Sequence, residues 1–151
     1  MTLPFILAYV GMAAMLALSG TGSAIGVTMA GNATLGALRK NPDIFGSCMI
    51  LCALPSTQGL YGFAGFFLLL TPLGSMDVLS LGQGLAVCAA GLALGFVGLF
   101  SAIQQASLCA NGVVEMGNGN PVMGKTMILA AFPELYAILA FASTFLVLGL
   151  L

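Results

Sequence analysis

The chain has 151 residues, of which 60% are hydrophobic and only 5% are charged, with a formal net charge of −1. This composition is typical of integral membrane proteins and lies far from the soluble globular range. Because the sequence contains no histidine, imidazole-based catalytic triads, histidine-ligated metals and histidine proton relays are excluded.

Four apolar segments follow one another along the chain, separated by the few charged residues. They cover approximately residues 4–38, 45–71, 79–116 and 123–150. Each is longer than the roughly 20 residues that a membrane-spanning helix needs, and none alternates as a barrel strand does. The sequence therefore predicts an all-α membrane protein with four transmembrane helices, arranged as two tandem hairpins over residues 1–77 and 78–151.

The first and third segments are rich in small residues, whereas the second and fourth carry bulky ones. Gly22, Gly26 and Ala30 recur at a spacing of four in the first segment. The third segment repeats the pattern with Gly91, Gly95, Gly98, Ala102, Ala106 and Ala110. Such faces let helix backbones approach closely. We expect the small-residue helices to form the inner circle of a ring of identical subunits, with the bulky helices outside; tight packing within a single bundle is the alternative.

The basic residues predict how the chain is oriented. Arg39 and Lys40 lie between the first two segments, and Lys125 lies at the start of the fourth, beside the third loop. A four-helix topology places these loops on one side, which the positive-inside rule makes cytoplasmic. Both termini and Asp77 are then expected outside. The beginning of the chain has no basic stretch before its first apolar segment, so we expect that segment to remain in the mature protein.

The two halves of the chain resemble one another. Four of six positions agree between GTGSAI at residues 20–25 and GLFSAI at 98–103. The loops that follow are also similar, with Pro42 in the first loop and Pro121 in the third at nearly the same spacing. Each half is a hairpin that enters and leaves on the same side, so the repeat is parallel and unlike the inverted repeats of many transporters.

Four cysteines occur in the apolar segments, at Cys48, Cys52, Cys88 and Cys109. None has the C-x-x-C spacing of zinc or redox sites. We interpret them as small buried side chains that fill space between helices.

Glu134 is the one charged residue near the centre of an apolar segment. A carboxylate at the bilayer centre costs about 2.5–3.5 kcal/mol on insertion scales, which favours a functional role. The apolar segments offer it no lysine or arginine at its depth, since Lys125 lies at the loop end of the fourth segment. A proton, a metal cation or a charge on another subunit must neutralise it.

Gln58 and Gln105 are predicted to lie at the same depth as Glu134. Each of the three is about 12–14 residues from the adjacent cytoplasmic loop, or roughly 18–21 Å at helical rise. Thr57 adds a hydroxyl oxygen, and Pro55 loosens the helical ladder and leaves carbonyl oxygens available. Neutral oxygens around one carboxylate are ligands that a hard monovalent cation prefers. The alternative is that the glutamines only form hydrogen bonds between helices.

Three motifs on these segments carry a resemblance to a known family. LPSTQGLYG in the second segment, GLFSAIQQ in the third and PELYAIL in the fourth stand on a duplicated hairpin with glycine-rich first and third helices. In this the chain resembles the proteolipid rotor subunits of V-type (V/A-type) ATPases, known by the letters K or c, and most of all the sodium-transporting bacterial form. The resemblance covers essentially the whole chain and implies a bacterial cell membrane protein.

The resemblance also implies a set of site residues. The positions that match the family's Na⁺ ligands are the Leu54 backbone carbonyl, Thr57, Gln58, Gln105 and Glu134. Tyr61 matches a tyrosine that donates a hydrogen bond to the essential glutamate.

Three positions depart from the family's pattern or add to it. Pro133 precedes Glu134, where an ordinary helix-compatible residue is expected; the sequence leaves open whether it bends the last helix and changes the reach of the carboxylate. Ser56 stands where glycine is familiar. Gln104 places a second amide beside Gln105, and the sequence leaves open which of the two glutamines faces the ion.

The implied role is ion carriage without catalysis in this chain. The resemblance implies a closed ring in membrane lipid, a stator membrane subunit with an essential arginine, and a central stalk at the loops around Arg39–Asp43 and Gly117–Lys125. It implies Na⁺ as the ion, with no organic cofactor and no nucleic acid. No glycine-rich phosphate loop is present, so we expect ATP hydrolysis elsewhere in the complex.

Other functions fit parts of the pattern. The same rotor could carry H⁺, because a glutamate with hydrogen-bonding neighbours can be protonated. A small drug/proton antiporter also has four helices and one membrane glutamate, and a structural membrane oligomer needs no ion at all.

Overall fold

The computed structural model describes residues 2–151, and all regular structure in that range is helical. The described residues form five α-helices: α1 (Leu3–Leu38), α2 (Phe45–Ala53), α3 (Thr57–Gly74), α4 (Leu81–Gly117) and α5 (Met123–Leu148). Short 3₁₀ turns at Pro42–Ile44 and Leu54–Ser56 flank α2. The helices α1 to α3 form the first hairpin, and α4 and α5 form the second.

In the part of the chain that the structure describes, four helical stretches are long and apolar enough to cross a membrane, as the sequence predicts. They are α1, the stretch Pro42–Gly74 that contains α2 and α3, α4, and α5. The helices α1 and α4 have 36 and 37 residues. At about 1.5 Å per residue they are longer than a hydrocarbon core of about 30 Å. The boundary predicted between the two hairpins, at residues 77 and 78, stays a prediction.

Local side-chain chemistry fixes where several helices begin. Ser80 and Gln83 form a capping box at the start of α4, in which each side chain accepts a hydrogen bond from the other residue's backbone N–H, at 3.2 and 3.0 Å. The side chain of Asn41 accepts a bond from the backbone N–H of Asp43 at the turn that opens the second stretch. Gly119, with φ of 93°, supplies the left-handed backbone between α4 and α5.

The first and third loops lie at the same end of the bundle. Lys40 Nζ donates a 2.8 Å hydrogen bond to Asn118 Oδ1 across the two hairpins. At the other end, Gln83 Nε2 donates to the carbonyl of Leu150. Two parallel hairpins therefore stand side by side in register, as the repeat predicts.

The centre of the molecule is the contact between α1 and α4, the most extensive between any two helices. The backbones of Gly11 and Gly91 lie against each other there. A Cβ atom built on Gly22 would lie 2.6 Å from Leu99 Cα, closer than real Cβ atoms approach. Glycine is therefore required for this spacing, and the small-residue faces pack closely within one chain; their place on the inner circle of a ring stays a prediction.

The helices α3 and α5 lie outside this pair and expose many bulky side chains. Phe63, Phe67 and Phe132 are exposed, whereas Tyr61 is half-buried and stacks on Phe141 with ring centroids 5.7 Å apart. These exposed rings form the apolar surface that a membrane protein presents to lipid or to neighbouring subunits.

The cysteines lie inside the helices as free thiols. Cys48 and Cys109 are fully buried in one apolar cluster near the loop end, and Cys52 Sγ lies 3.0 Å from Thr34 Oγ1. The places of Cys48 and Cys109 agree with the interpretation as buried, space-filling side chains, whereas Cys52 and Cys88 are only half-buried.

Candidate ion-binding site

Three polar side chains from three different helices meet in the interior. Gln58 on α3 and Gln105 on α4 are fully buried, and Glu134 on α5 is half-buried. The depths that the sequence predicts from helical rise therefore bring the three residues together.

Gln105 is the central member of this group. Its Nε2 donates to Glu134 Oε2 at 3.0 Å and to the Ala130 carbonyl at 3.0 Å, while its Oε1 accepts a 2.8 Å bond from Gln58 Nε2. One amide thus links α3 and α5 through α4. Because every polar atom of Gln105 has a partner, its side chain is held in one orientation.

The helix break before α3 supplies further oxygen atoms. Pro55 has no backbone N–H to continue the α-helix, and the chain passes through the 3₁₀ turn Leu54–Ser56. At this turn Thr57 Oγ1 donates to the Leu54 carbonyl at 3.0 Å and lies 3.3 Å from Gln58 Oε1. A backbone carbonyl, a hydroxyl and an amide oxygen are therefore concentrated within one turn.

Tyr61 holds the other side of the carboxylate. It lies one turn after Gln58 on α3, and its hydroxyl donates a 2.9 Å hydrogen bond to Glu134 Oε1. Since Gln105 bonds the second oxygen, both oxygens of Glu134 are engaged. The carboxylate is thereby turned into the bundle rather than outwards.

The two adjacent glutamines have different surroundings. Gln105 is buried in the network, whereas Gln104 is exposed on another face of α4. Pro133 does not interrupt α5, which continues through it to Leu148. Glu134 reaches Gln105 and Tyr61 with this proline in place.

Two members of the surroundings are not among the predicted site residues. The Ala130 carbonyl accepts from Gln105, and Ser23 Oγ accepts a 2.8 Å bond from the backbone N–H of Gly59 beside Gln58. A backbone carbonyl has no signature in a sequence. Ser23 has one, since it is a conspicuous polar residue in the repeated GTGSAI motif.

The groups gathered near Glu134 are amides, hydroxyls and backbone carbonyls, and the atoms that contact its carboxylate are the hydrogen-bond donors Gln105 Nε2 and the Tyr61 hydroxyl. Within residues 2–151 no three His, Cys, Asp or Glu side chains come together as a metal cluster. Such a set lacks the nitrogen and sulfur ligands that transition metals favour and suits a hard cation or a proton.

Comparisons with known proteins agree with the duplication of the hairpin. The model of the family described as the C subunit of ATP synthase matches twice, at residues 10–69 and 88–147. The V-type sodium ATPase subunit K of Enterococcus hirae is 42% identical over 141 residues, which cover 93% of this chain and 89% of that protein. The A-type ATP synthase subunit K of Methanocaldococcus jannaschii is 36% identical over 135 residues, 89% of this chain and 58% of that protein. The chain therefore belongs to the family of ATP synthase C subunits.

Proposed function

We propose that this chain is a rotor-ring subunit of a V-type ATPase and carries Na⁺ across the membrane on Glu134. The observation that carries the proposal is the buried network in which Gln105 joins Glu134 to Gln58. The likeness to a subunit K of a sodium ATPase supports Na⁺ as the ion, and membership of the family favours a rotor over a drug/proton antiporter.

The proposed ligands are all oxygen atoms and come from the second stretch, α4 and α5. They are the Leu54 carbonyl, Thr57 Oγ1, the side-chain oxygens of Gln58 and Gln105, and the carboxylate of Glu134. Tyr61 acts as a positioning residue, because its hydroxyl bonds the carboxylate and holds it towards the other oxygens. This matches the preference of hard cations for carbonyl, hydroxyl and carboxylate ligands.

Charge balance favours a monovalent ion. The proposed site holds one carboxylate, so one Na⁺ makes it neutral, whereas a divalent cation leaves a net positive charge inside the membrane. A charged site facing lipid is expensive, and a neutral one is much less so. Neutralisation of Glu134 is therefore the condition under which the site can move through lipid.

The proposed mechanism uses this change of charge. Glu134 takes up Na⁺ from one aqueous half-channel, travels with the rotating ring in neutral form, and releases the ion at a second half-channel. A stator arginine on another membrane subunit attracts the emptied carboxylate there. The central stalk turns the ring through contacts at the loops around Arg39–Asp43 and Gly117–Lys125, which we place on the cytoplasmic side.

Carbodiimide labelling of Glu134 tests the ion directly. At constant pH, increasing Na⁺ should slow labelling, because the bound ion occupies the carboxylate oxygens. Glu115, exposed near the end of α4, is a carboxylate in the same chain whose labelling should not depend on Na⁺. If Na⁺ gives no protection while acidification changes the labelling rate, the proton alternative replaces the sodium proposal.

A further inference from the structure

The start of α3 receives no cap from its own cap residue. That residue is Ser56, whose hydroxyl donates to the Ala53 carbonyl at 2.6 Å; within residues 2–151 its side chain makes no cap bond to α3. A helix start leaves its first backbone N–H groups without a partner in the helix, and a cap side chain commonly accepts from the second or third of them. Gly59 is the third residue of α3. Its N–H therefore needs an acceptor from elsewhere in the molecule.

Ser23 on α1 supplies this acceptor. Its Oγ accepts a hydrogen bond from the Gly59 N–H at 2.8 Å, and the serine is buried. Glycine at position 59 permits the approach, because a Cβ atom built there would lie 3.1 Å from Ser23 Oγ, tighter than an ordinary van der Waals contact. Ser23 thus does between two helices what a cap side chain does within one.

The internal repeat shows that this contact belongs to the helix break. The matched segments begin at residues 10 and 88, so equivalent positions are 78 residues apart, and Ser23 and Gly59 correspond to Ser101 and Ala137. Ala137 lies inside the continuous α5, where a backbone N–H bonds the carbonyl four residues earlier. The Ser101 hydroxyl donates to the Gly98 carbonyl of its own helix at 3.4 Å. The buried serine is therefore present in both hairpins, and it bonds a second helix in the hairpin whose helix is broken.

The residues just before Gly59 belong to the proposed ion site. Thr57 Oγ1 donates to the Leu54 carbonyl at 3.0 Å, and Gln58 Nε2 donates to Gln105 at 2.8 Å. Helix ends fray readily, so an unfastened first turn would let these side chains change direction. The bond to Ser23 fastens that turn to α1. Since α1 supplies none of the proposed ligands, this bond is how α1 acts on the site.

We infer that Ser23 is a positioning residue of the ion site: it holds the start of α3 on α1 through the Gly59 N–H, so that the two residues before Gly59 keep their oxygens directed at the ion. This rests on the proposed function. Ser23 does not contact the ion and acts through the backbone of α3. It also makes the break at Pro55 tolerable, because a serine on a neighbouring helix can satisfy a backbone group that a break in a membrane helix frees.

The variants Ser23→Ala and Ser101→Ala test this role in the full chain, assembled into the ATPase in membranes. The measured quantity is the Na⁺ concentration that halves the rate of carbodiimide labelling of Glu134 at constant pH. A typical hydrogen bond corresponds to about two- to tenfold in an equilibrium constant, so Ser23→Ala should raise that concentration by about this factor. Ser101→Ala, the matched control, should leave it unchanged. Alanine favours a helix more than serine does, so the yield of closed rings by native mass spectrometry should be the same for both variants.

A second variant approaches the same bond from its other end. Gly59→Ala keeps both polar groups, but its Cβ atom pushes Ser23 away from the N–H. It should also raise the Na⁺ concentration that halves labelling. Because it leaves α1 unsubstituted, it tests the bond independently of any effect of Ser23→Ala on the yield of rings.

The outcomes separate this role from the proposed function. Equal Na⁺ concentrations for the unsubstituted chain and Ser23→Ala, or equal increases for Ser23→Ala and Ser101→Ala, overturn the role of Ser23 and leave the rotor proposal standing. Absence of Na⁺ protection in the unsubstituted chain counts against the ion assignment. The role of Ser23 is then decided by the pH at which labelling is half-maximal: a shift in Ser23→Ala and none in Ser101→Ala supports it, and no difference between the two variants overturns it.

Discussion

The two hairpins differ in charge and in local structure at one pair of equivalent positions. Pro55–Ser56 in the first hairpin corresponds to Pro133–Glu134 in the second, 78 residues later. After Pro55 the helix is interrupted by a 3₁₀ turn, whereas α5 continues through Pro133. The same proline thus stands in two different local structures, and only one of them carries a carboxylate.

This difference assigns unlike roles to the two halves. The first hairpin contributes neutral oxygens at its helix break, near Thr57 and Gln58. The second contributes the charge, Glu134, on an uninterrupted helix, together with Gln105. Duplication gives two hairpins of one shape, and their divergence gives one proposed site for the pair. Fewer ions per turn of a ring suit a pump that works against a steep gradient.

Removal of the carboxylate should have the largest effect. In Glu134→Gln the amide cannot neutralise a cation, so we expect complete loss of Na⁺-dependent transport in the assembled ATPase and of Na⁺-sensitive carbodiimide labelling. Ring formation should persist, because the change is isosteric. Transport at more than a few per cent of the original rate would contradict a carrier role for Glu134.

Exchange of Ser56 and Glu134, which occupy equivalent positions, tests whether the two hairpins are interchangeable as carriers of the carboxylate. The double variant Ser56→Glu, Glu134→Ser keeps one carboxylate per chain but moves it to the first hairpin. Ser56 Oγ bonds the Ala53 carbonyl at 2.6 Å and does not reach Gln105. We expect no recovery of transport, and recovery would show that the two positions are interchangeable.

Loss of one central amide should weaken Na⁺ binding without abolishing it. Gln105→Leu removes the bonds to Glu134 and Gln58, and hydrogen bonds to charged groups contribute about 1.5–3 kcal/mol, which is about 10- to 100-fold in affinity. The Na⁺ concentration that halves the carbodiimide labelling rate measures the change. Gln104→Leu is the matched control at the adjacent, exposed amide and should leave that concentration unchanged. If both variants changed the concentration equally, Gln105 would not be a specific Na⁺ ligand.

The sequence predicts much of this architecture because membrane segments obey strong constraints. Length, apolarity and loop charges locate four helices, and helical rise places Gln58, Gln105 and Glu134 at one depth. Direction around a helix is harder to predict: Gln104 and Gln105 differ in direction by about 100°, and the packing of α4 decides which is buried. Backbone partners such as the Ala130 carbonyl depend on side-chain orientation and leave no pattern in the sequence.

A smaller loss of Na⁺ binding is expected when Glu134 keeps its hydrogen bond from Gln105 and loses only the one from Tyr61. Tyr61→Phe deletes the 2.9 Å bond to Glu134 Oε1 but keeps the ring that stacks on Phe141. One such bond corresponds to about tenfold weaker protection of Glu134 by Na⁺. Tyr136→Phe, which changes a phenol on the exposed side of α5, is the control. A decrease as large as that of Gln105→Leu would mean that the phenol, rather than the amide, organises the site.

Replacement of either proline should have the smallest effects on Na⁺ binding, and the effect should be larger at Pro55 than at Pro133. In Pro55→Ala the backbone N–H is restored, so the helix can continue through the 3₁₀ turn and withdraw the Leu54 carbonyl and the Thr57 hydroxyl from their present positions. Protection by Na⁺ should weaken about threefold, an effect of about 0.6 kcal/mol. In Pro133→Ala, α5 is already continuous, and the change should be below about twofold. We expect this order because only Pro55 interrupts its helix. Equal effects, or a larger effect at Pro133, would indicate that Pro133 and the shape of α5, rather than the break before α3, set the geometry of the carboxylate.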